Sequence, residues 1–424
     1  MEFKIPRGTF DIVPPQSARW QKVTGTFREI AALYGYQEIS TPIFEMAGLF
    51  ERSSGESSDV VQKEMYRFED RKGRQFALRP EGTAPVVRSY VENRMDLLGG
   101  RTRLFYIGPM FRYDRPQAGR YRQFYQYGVE FFGSDHPFVD AEVIAILWNY
   151  LAGLGLKKIR LEINSVGCPQ CSKTYDNALE EYFRPFLTQL CEDCNKRIGI
   201  KPRRLLDCKV AACSAIAKNA PSQLDYLDPG CATHFEAVKR YLDLLDIPFT
   251  VNPRIVRGLD YYTNTAFEVI YAGIGAQNSL AGGGRYNALV KQIGGRDVPA
   301  IGFAGGFERL LLALEEEQIA IGGPVSPDVF IAAIGAGALD AGITLLSKLR
   351  ANGVRADLDP DKISFRSALK TADGSGAKFT VIIGEDELAS GNLLLKDMDT
   401  GKQTSIPIND MEAILSFIAR KAGP

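Results

Sequence analysis

Arginines, carboxylates and tyrosines set beside glycines are the groups in this chain that could do chemistry, because it holds only two histidines, His136 and His234. That scarcity leaves little room for a histidine acid–base pair or a nucleophile triad. The densest cluster is FRYDRPQAGRYRQFYQ, residues 111–126, with four arginines and five aromatics in sixteen positions. The chain as a whole carries 51 Lys and Arg against 51 Asp and Glu. The basic stretch is therefore a local device, and bulk attraction for nucleic acid is excluded as the main source of binding.

Period-two alternation over 122–132 puts Arg122, Phe124, Gln126, Gly128, Glu130 and Phe132 on one strand face. Gln123, Tyr125, Tyr127, Val129 and Phe131 fall on the other, which reads as core. On the incoming strand Arg112 shares a face with Gly108 and Met110. Two readings fit the first face: a solvated sheet surface with cross-strand ion pairs, or the floor of a ligand site. In the second, arginine grips phosphate through its bidentate fork, Phe124 stacks on a flat base, and Gly128 leaves a gap where something can lie close. Four further stretches favour the ligand site. RPEGTAP (79–85) sets Glu81 and Thr83 beside a glycine. VRGLDYYTNTAFEVI (256–270) carries Arg257 and the pair Tyr261–Tyr262. LAGGGRYNALV (280–290) allows close backbone approach, and GFAGGFERLLLAL (302–314) leads from glycines into a helix with Arg309 early.

The elements that must position these residues are mixed. Residues 17–35 predict an amphipathic helix with Trp20, Val23, Phe27, Ile30 and Ala31 on one face. Short strands follow, then a helix over 84–92, the arginine-rich hairpin, and a helix over 138–154. Adjacent antiparallel strands replace the strand–helix alternation of a dinucleotide-binding sheet. From about 166 to 228 cysteines and charges cluster and helical patterns take over, which marks an insertion. IGGPVSP (321–327) predicts a linker between a unit over 1–320 and a small α/β unit over 328–424.

These motifs resemble the class II aminoacyl-tRNA synthetases, specifically the histidyl-tRNA synthetase family. The likeness covers essentially the whole chain: GTFDIVP, RSSGESSDVVQKEMYRFEDRKGRQFALRPEGTAPVVRSY, the arginine-rich hairpin, RGLDYYTNTAFE, GGGRYNALV and GFAGGFERL. It implies an α/β (α+β) catalytic core built on an antiparallel sheet with flanking helices, a mostly helical insertion, a C-terminal anticodon-binding domain, and a homodimer formed partly around Pro42. It implies activation of L-histidine with ATP and transfer to the 3′ end of tRNA(His), with Mg²⁺ bridging phosphates. For ATP it implies Arg112, Arg120, Tyr121, Phe124 and Arg309. For histidine it implies Glu81 and Thr83 at the ammonium, Gln126 nearby, Glu130 and Tyr262 at the imidazole nitrogens, and Tyr261 and Tyr286 as lining. Arg257 would face the carboxylate and α-phosphate, so Arg257 and Arg112 are the catalytic pair. A carboxylate and a phenol suit the acceptor and donor of a neutral imidazole. The alternative within the resemblance is a histidine-sensing regulatory paralogue, a subunit of ATP phosphoribosyltransferase, without aminoacylation. Tyr125, Asn287 and the pair Gly306–Phe307 depart from the family's commoner residues.

Seven cysteines and no N-terminal apolar signal core predict a cytoplasmic protein with reduced thiols, and no apolar run reaches membrane-spanning length. Cys168 and Cys171 in CPQC with Cys191 and Cys194 in CEDC have the spacing of a four-thiolate structural zinc site, or of plain reduced thiols in a helical insertion. The basic run NKRIGIKPRRLLDCK (195–209) reads as a solvated face or as a contact for a tRNA acceptor stem.

Overall fold

The computed structural model describes residues 3–55, 58, 60–97, 99–117, 119–255, 261–274, 278–323, 326–361 and 364–419. The chain divides into two compact units, 1–323 and 324–424.

The first unit opens with α1 (Gln16–Leu33), whose Trp20, Val23, Phe27 and Ala31 fall at helical spacing and are buried. Full burial of side chains such as Val23 and Phe27 is worth roughly 1.5–3 kcal/mol each. After β1 (Gln37–Glu38) come β2 (Phe44–Met46), α2 (Ala47–Ser54), β3 (Arg67–Glu69) and β4 (Gln75–Leu78), with the last two strands and β2 forming a small antiparallel sheet in the order β2-β4-β3. Next are α3 (Thr83–Glu92) and the long hairpin of β5 (Thr102–Phe111) and β6 (Gln123–Phe132). Helix α4 (Pro137–Gly153) is apolar nearly all round and accordingly buried. Strand β7 (Ile159–Ser165) leads into the helical insertion, α5 (Pro169–Phe183), α6 (Glu192–Arg197) and α7 (Ala211–Ala217). Helix α8 (Pro229–Leu244) returns the chain to β8 (Phe249–Val251), β9 (Thr263–Tyr271), β10 (Ser279–Arg285), α9 (Leu289–Gln292), β11 (Ala300–Gly306) and α10 (Phe307–Glu316).

Eight of these strands form one sheet in the order β1-β5-β6-β11-β10-β9-β7-β8, antiparallel through the centre and parallel at its two edge pairs. The alternation read from 122–132 is what the sheet uses. Tyr127, Val129 and Phe131 join the core beneath α1, α4, α8 and α10, with Phe27, Phe267 and Phe303 among their neighbours. Phe132, Leu104, Tyr106 and Met110 face the other way and meet Val86, Val87 and Tyr90 of α3. Tyr125 packs on the core side with its ring 5.1 Å from that of Trp20. Phe307 is fully buried there too.

The insertion carries its own small core, centred on Tyr175, Leu179, Phe183 and Leu205. The second unit is a five-stranded sheet, β13-β12-β14-β15-β16, of β12 (Val329–Ala333), β13 (Ala356–Leu358), β14 (Phe379–Ile383), β15 (Asn392–Asp397) and β16 (Gln403–Pro407). Its first three strands in sheet order are parallel and the rest antiparallel. Helices α11 (Ala336–Ala351), α12 (Phe365–Ser375), α13 (Glu385–Ser390) and α14 (Met411–Ala419) complete it. Among the described residues no helix is long and apolar enough to cross a membrane.

Candidate active site

The open face of β6 is the floor of the site. Phe124 pairs with Met110, Gln126 with Gly108, Gly128 with Tyr106 and Leu104 with Glu130 across the hairpin. On the other side, Glu130 pairs with Gly302 of β11. A side chain at Gly302 would occupy the space of the Glu130 carboxylate, so the glycine is what admits that group.

At one end of this floor lies a cavity of about 330 Å³ whose walls include Arg112, Arg120, Tyr121, Phe124 and Arg309, with Gln126 at its inner end. The five residues expected at ATP thus come together. The Arg112 guanidinium lies 5.3 Å from the Phe124 ring centre and donates from Nε to the Pro80 carbonyl at 2.9 Å. Arg309 enters from the first turn of α10 and donates to the carbonyls of Ser279 (3.0 Å) and Gly119 (3.3 Å). Its pKa is lowered by burial, then by the like charges of Arg120 and Arg112. Arg120 is held by Asp114 and lies 3.6 Å from Glu64. Three guanidiniums converging beside a flat ring make an anion-binding cleft with a stacking surface. Glu268 and Glu308 supply carboxylates on the same walls. Glu308 accepts from the Tyr125 amide at 2.8 Å, and burial pushes its carboxyl up to about 7.

The other end of the floor is a buried polar pocket. Glu81 is 4% exposed and accepts the backbone N–H groups of Thr83 (2.6 Å) and Ala84 (2.8 Å), at the N-terminus of α3. Burial raises its pKa against those two donors and the charge of Arg112. Glu130 is fully buried and accepts the Tyr286 hydroxyl. Burial pushes it up to about 8, and the negative charge of Glu81 adds to the rise. Tyr261 sits with its ring 5.7 Å from Tyr286 and 4.8 Å from Tyr262. Among the described residues, Glu130 Oε1, Gln126 Oε1 and Tyr106 Oη are buried without a hydrogen-bond partner. Buried polar atoms in that state mark a place where a polar ligand completes the network.

Two readings from the sequence are corrected. Gly128 does not open a gap for a ligand; the Tyr106 ring fills it, clasped also against Gly82, where a Cβ at either glycine would collide with the ring. The role of Tyr106 was missed, although it continues the alternation Arg112, Met110, Gly108 by one more step. Secondly, the four cysteines read as one set do not come together. Cys171 sits in the first turn of α5, and the rest of that helix, to Phe183, carries the chain roughly 18 Å away before the second CxxC pair. Cys168 and Cys171 group instead with Asp228 and Cys231, while Cys191 and Cys194 group with Cys208 and Cys213. Arg257 lies outside the described residues.

Both histidines stand outside this site: His234 Nε2 is 3.2 Å from Asp140, and His136 caps α4. Asp140 forms a fully buried ion pair with Arg285, the residue before Tyr286. In the basic run, Lys196 pairs with Glu192, Arg203 with Asp176 and Lys209 with Asp207. A second cavity, about 540 Å³, is lined by insertion residues such as Tyr175 and Arg203 together with Tyr261 and Tyr262. It is the larger of the two, but the convergent arginines and the stacking ring belong to the smaller one, which is therefore the one equipped to hold phosphate.

Known proteins share this sequence and fold. The family model described as histidyl-tRNA synthetase matches residues 8–179 and 204–310, and that described as anticodon binding domain matches 328–417. A histidine–tRNA ligase of Pelotomaculum thermopropionicum is 49% identical over 416 residues, covering 98% of this chain and 97% of the relative. One from Halothermothrix orenii is 50% identical, covering 97% of this chain and 98% of the relative. The crystal structure of apo histidyl-tRNA synthetase from S. aureus matches with a TM-score of 0.82 at 41% identity, covering 98% of this chain and all of that one. The chain belongs to the histidyl-tRNA synthetase family.

Proposed function

We infer that the chain is a histidine–tRNA ligase: it activates L-histidine with ATP to histidyl-adenylate and transfers the histidyl group to the 3′ end of tRNA(His), releasing AMP and diphosphate. The observation that carries this reading is the full-length likeness to histidine–tRNA ligases at about half identity, with both ends of the β6 floor equipped for the two substrates.

In this reading adenine stacks on Phe124, Arg112 holds the α-phosphate with Arg120 and Tyr121 alongside, and Arg309 holds the γ-phosphate. Histidine lies further along the strand. Its ammonium meets Glu81 and Thr83 with Gln126 near the same end, and its imidazole is held by Glu130 and Tyr262, with Tyr261 and Tyr286 as walls. Attack of the carboxylate oxygen on the α-phosphorus builds negative charge on the phosphoryl oxygens as diphosphate leaves. Arg112 and Arg257 stabilise that charge electrostatically, with no protein base needed. The assignment of Arg257 rests on its motif. Mg²⁺ favours oxygen ligands shared with phosphates, and the Glu268 carboxylate offers one on the cavity wall. When bound, the metal neutralises phosphate charge.

The 324–424 unit reads the anticodon, as its match to the anticodon-binding model supports. The enzyme works as a homodimer in the cytoplasm. The dimer is supported by exposed Ile43, Phe44, Met46 and Phe68 on the small sheet beside Pro42, with Phe44, Phe68 and Phe76 in ring contact. The purely regulatory alternative is disfavoured, because such a subunit needs neither the arginine-lined cavity nor an anticodon domain.

ATP–diphosphate exchange with each amino acid in turn tests the reading. Exchange with histidine alone, lowered roughly 100-fold or more in Arg112→Ala and Arg257→Ala, is the expected result. Tight histidine binding with no exchange would favour the regulatory reading.

A further inference from the structure

We propose that the insertion binds two structural zinc ions, one held by Cys191, Cys194, Cys208 and Cys213 and one by Cys168, Cys171, Cys231 and Asp228. All seven cysteines of the chain fall into these two groups, and none is left over. In each group the four ligand atoms lie within 4.8 Å of one another. The spacing is that of ligands around a shared cation. Tetrahedral zinc with Zn–S bonds of about 2.3 Å sets its sulfurs about 3.8 Å apart. Cys191 Sγ and Cys208 Sγ are 3.9 Å apart, and Cys168 Sγ and Cys171 Sγ 3.5 Å. Both separations are far beyond a disulfide bond of about 2.05 Å, and all seven cysteines are free.

The first set lies within the insertion. Cys191 caps the N-terminus of α6, Cys194 sits in its first turn, Cys208 follows a turn over 202–207, and Cys213 sits in the first turn of α7. The Cys191 amide points at Cys213 Sγ at 3.2 Å, the N–H to sulfur contact that stabilises a thiolate. Four thiolates on one ion would tie together short helices of six and seven residues that are too short to hold themselves.

The second set joins the insertion's two ends. Cys168 caps α5 where the chain leaves β7, and Asp228 caps α8 where it comes back. Asp228 divides its carboxylate: Oδ1 accepts the Cys231 amide at 2.8 Å, while Oδ2 faces the sulfurs of Cys168 (3.1 Å), Cys171 (3.2 Å) and Cys231 (3.5 Å). One oxygen aimed at three sulfurs completes an S₃O set, and the Asp228 amide supports it with a contact to Cys171 Sγ at 3.1 Å. Two helix N-termini meet here, and their positive ends suit an anionic ligand shell. The set also touches the catalytic sheet. Cys231 Sγ lies 3.4 Å from Asn264 Oδ1, and the Asn264 backbone bonds Val166 and Gly167. Asn264 is two residues from Tyr262, so this ion anchors the start of β9 next to the histidine pocket. Each ligating thiol gives its proton to solvent as zinc binds, and no redox step is involved.

The test is metal content of the full-length protein, purified with reductant and zinc and dialysed without chelator. Two zinc ions per chain are expected. Cys208→Ser with Cys213→Ser, and separately Cys168→Ser with Cys231→Ser, should each leave one. Absence of zinc from the wild type overturns the proposal, and one zinc per chain overturns whichever set can be substituted without changing that count. Should a variant fail to fold, cobalt titration of metal-depleted wild type decides. The thiolate-to-cobalt absorption should stop growing at two equivalents, and a plateau at one or none overturns the pair.

Discussion

Tyr286 donates its hydroxyl to the Glu130 carboxylate at the fully buried end of the β6 floor. Among the described residues the second oxygen of that carboxylate makes no hydrogen bond, with the Thr83 side chain beside it, so Glu130 is held in place by one oxygen and offers the other. Glu130→Gln keeps the shape but removes a carboxyl that can take up charge when it meets the imidazole, and a hydrogen bond to a charged group is worth about 1.5–3 kcal/mol. The expected outcome is a fall of roughly 10- to 150-fold in kcat/KM for histidine with the KM for ATP little changed, read by ATP–diphosphate exchange over both substrates. An equal effect on both substrates would place Glu130 outside the amino-acid pocket.

The same burial makes stability depend on pH. Glu130 is pushed from 4.5 up to about 8 in the folded protein. A carboxyl whose folded pKa is raised contributes stability that is complete below its unfolded value and is lost as pH rises through the folded one. The free wild type should therefore lose stability from the ordinary carboxylate range up to about pH 8. Glu308, raised to about 7, contributes in the same direction, so Glu130→Gln should flatten the slope without abolishing it. Denaturant midpoints of both proteins across that range check this; parallel slopes would refute it.

Tyr106 reaches the pocket only because Gly82 and Gly128 leave room for its ring. Gly128→Ala sets a methyl group against that ring and against the Phe303 carbonyl, overpacking of the kind that costs about 1–3 kcal/mol. The variant should melt lower and bind histidine more weakly. Tyr106→Phe should keep the melting temperature while losing affinity. Calorimetric titration with histidine alongside thermal melts separates packing from hydroxyl loss, and unchanged affinity in Tyr106→Phe would remove the hydroxyl from the site.

Much of this was legible in the sequence because a strand sorts its side chains by period two. Once 122–132 is read as a strand, Glu130 and Gln126 must share a face with Phe124, and Tyr125 must turn toward Trp20, as they do. What stayed hidden depends on contacts across the chain. Nothing local to Gly128 says whether a ligand or Tyr106 will occupy its gap. The cysteine grouping was hidden for a similar reason. CxxC spacing names the pairs, but α5 separates them and α8 brings Asp228 and Cys231 to the first pair. The buried Asp140–Arg285 pair joins residues on α4 and β10, far apart in sequence.

The homodimer is tested at the small sheet. Phe44 is 47% and Phe68 42% exposed, side by side with ring centres 6.0 Å apart. Clustered apolar surface of this kind mostly marks contact with a partner. Phe44→Arg with Phe68→Glu should shift sedimentation from dimer to monomer at micromolar concentration. A wild type that sediments as a monomer at that concentration would refute the proposal outright.

On the proposed function, the two-unit division separates activation from tRNA selection. Residues 1–323 contain every described residue assigned to ATP and histidine, and the large apolar core beneath the eight-stranded sheet lies wholly within them. The 324–424 unit has its own core, centred on Val329, Leu349, Val381 and Leu395. Ending the chain after Gly323 should therefore leave histidine-dependent ATP–diphosphate exchange within a few-fold of the full-length value. Charging of tRNA(His) should fall far more, because contacts made by the removed unit act on kcat/KM for tRNA alone. Charging and exchange assayed on one preparation give the ratio. An equal loss in both would mean that the second unit supports the catalytic fold itself, and the separation of roles argued from the two cores would fail.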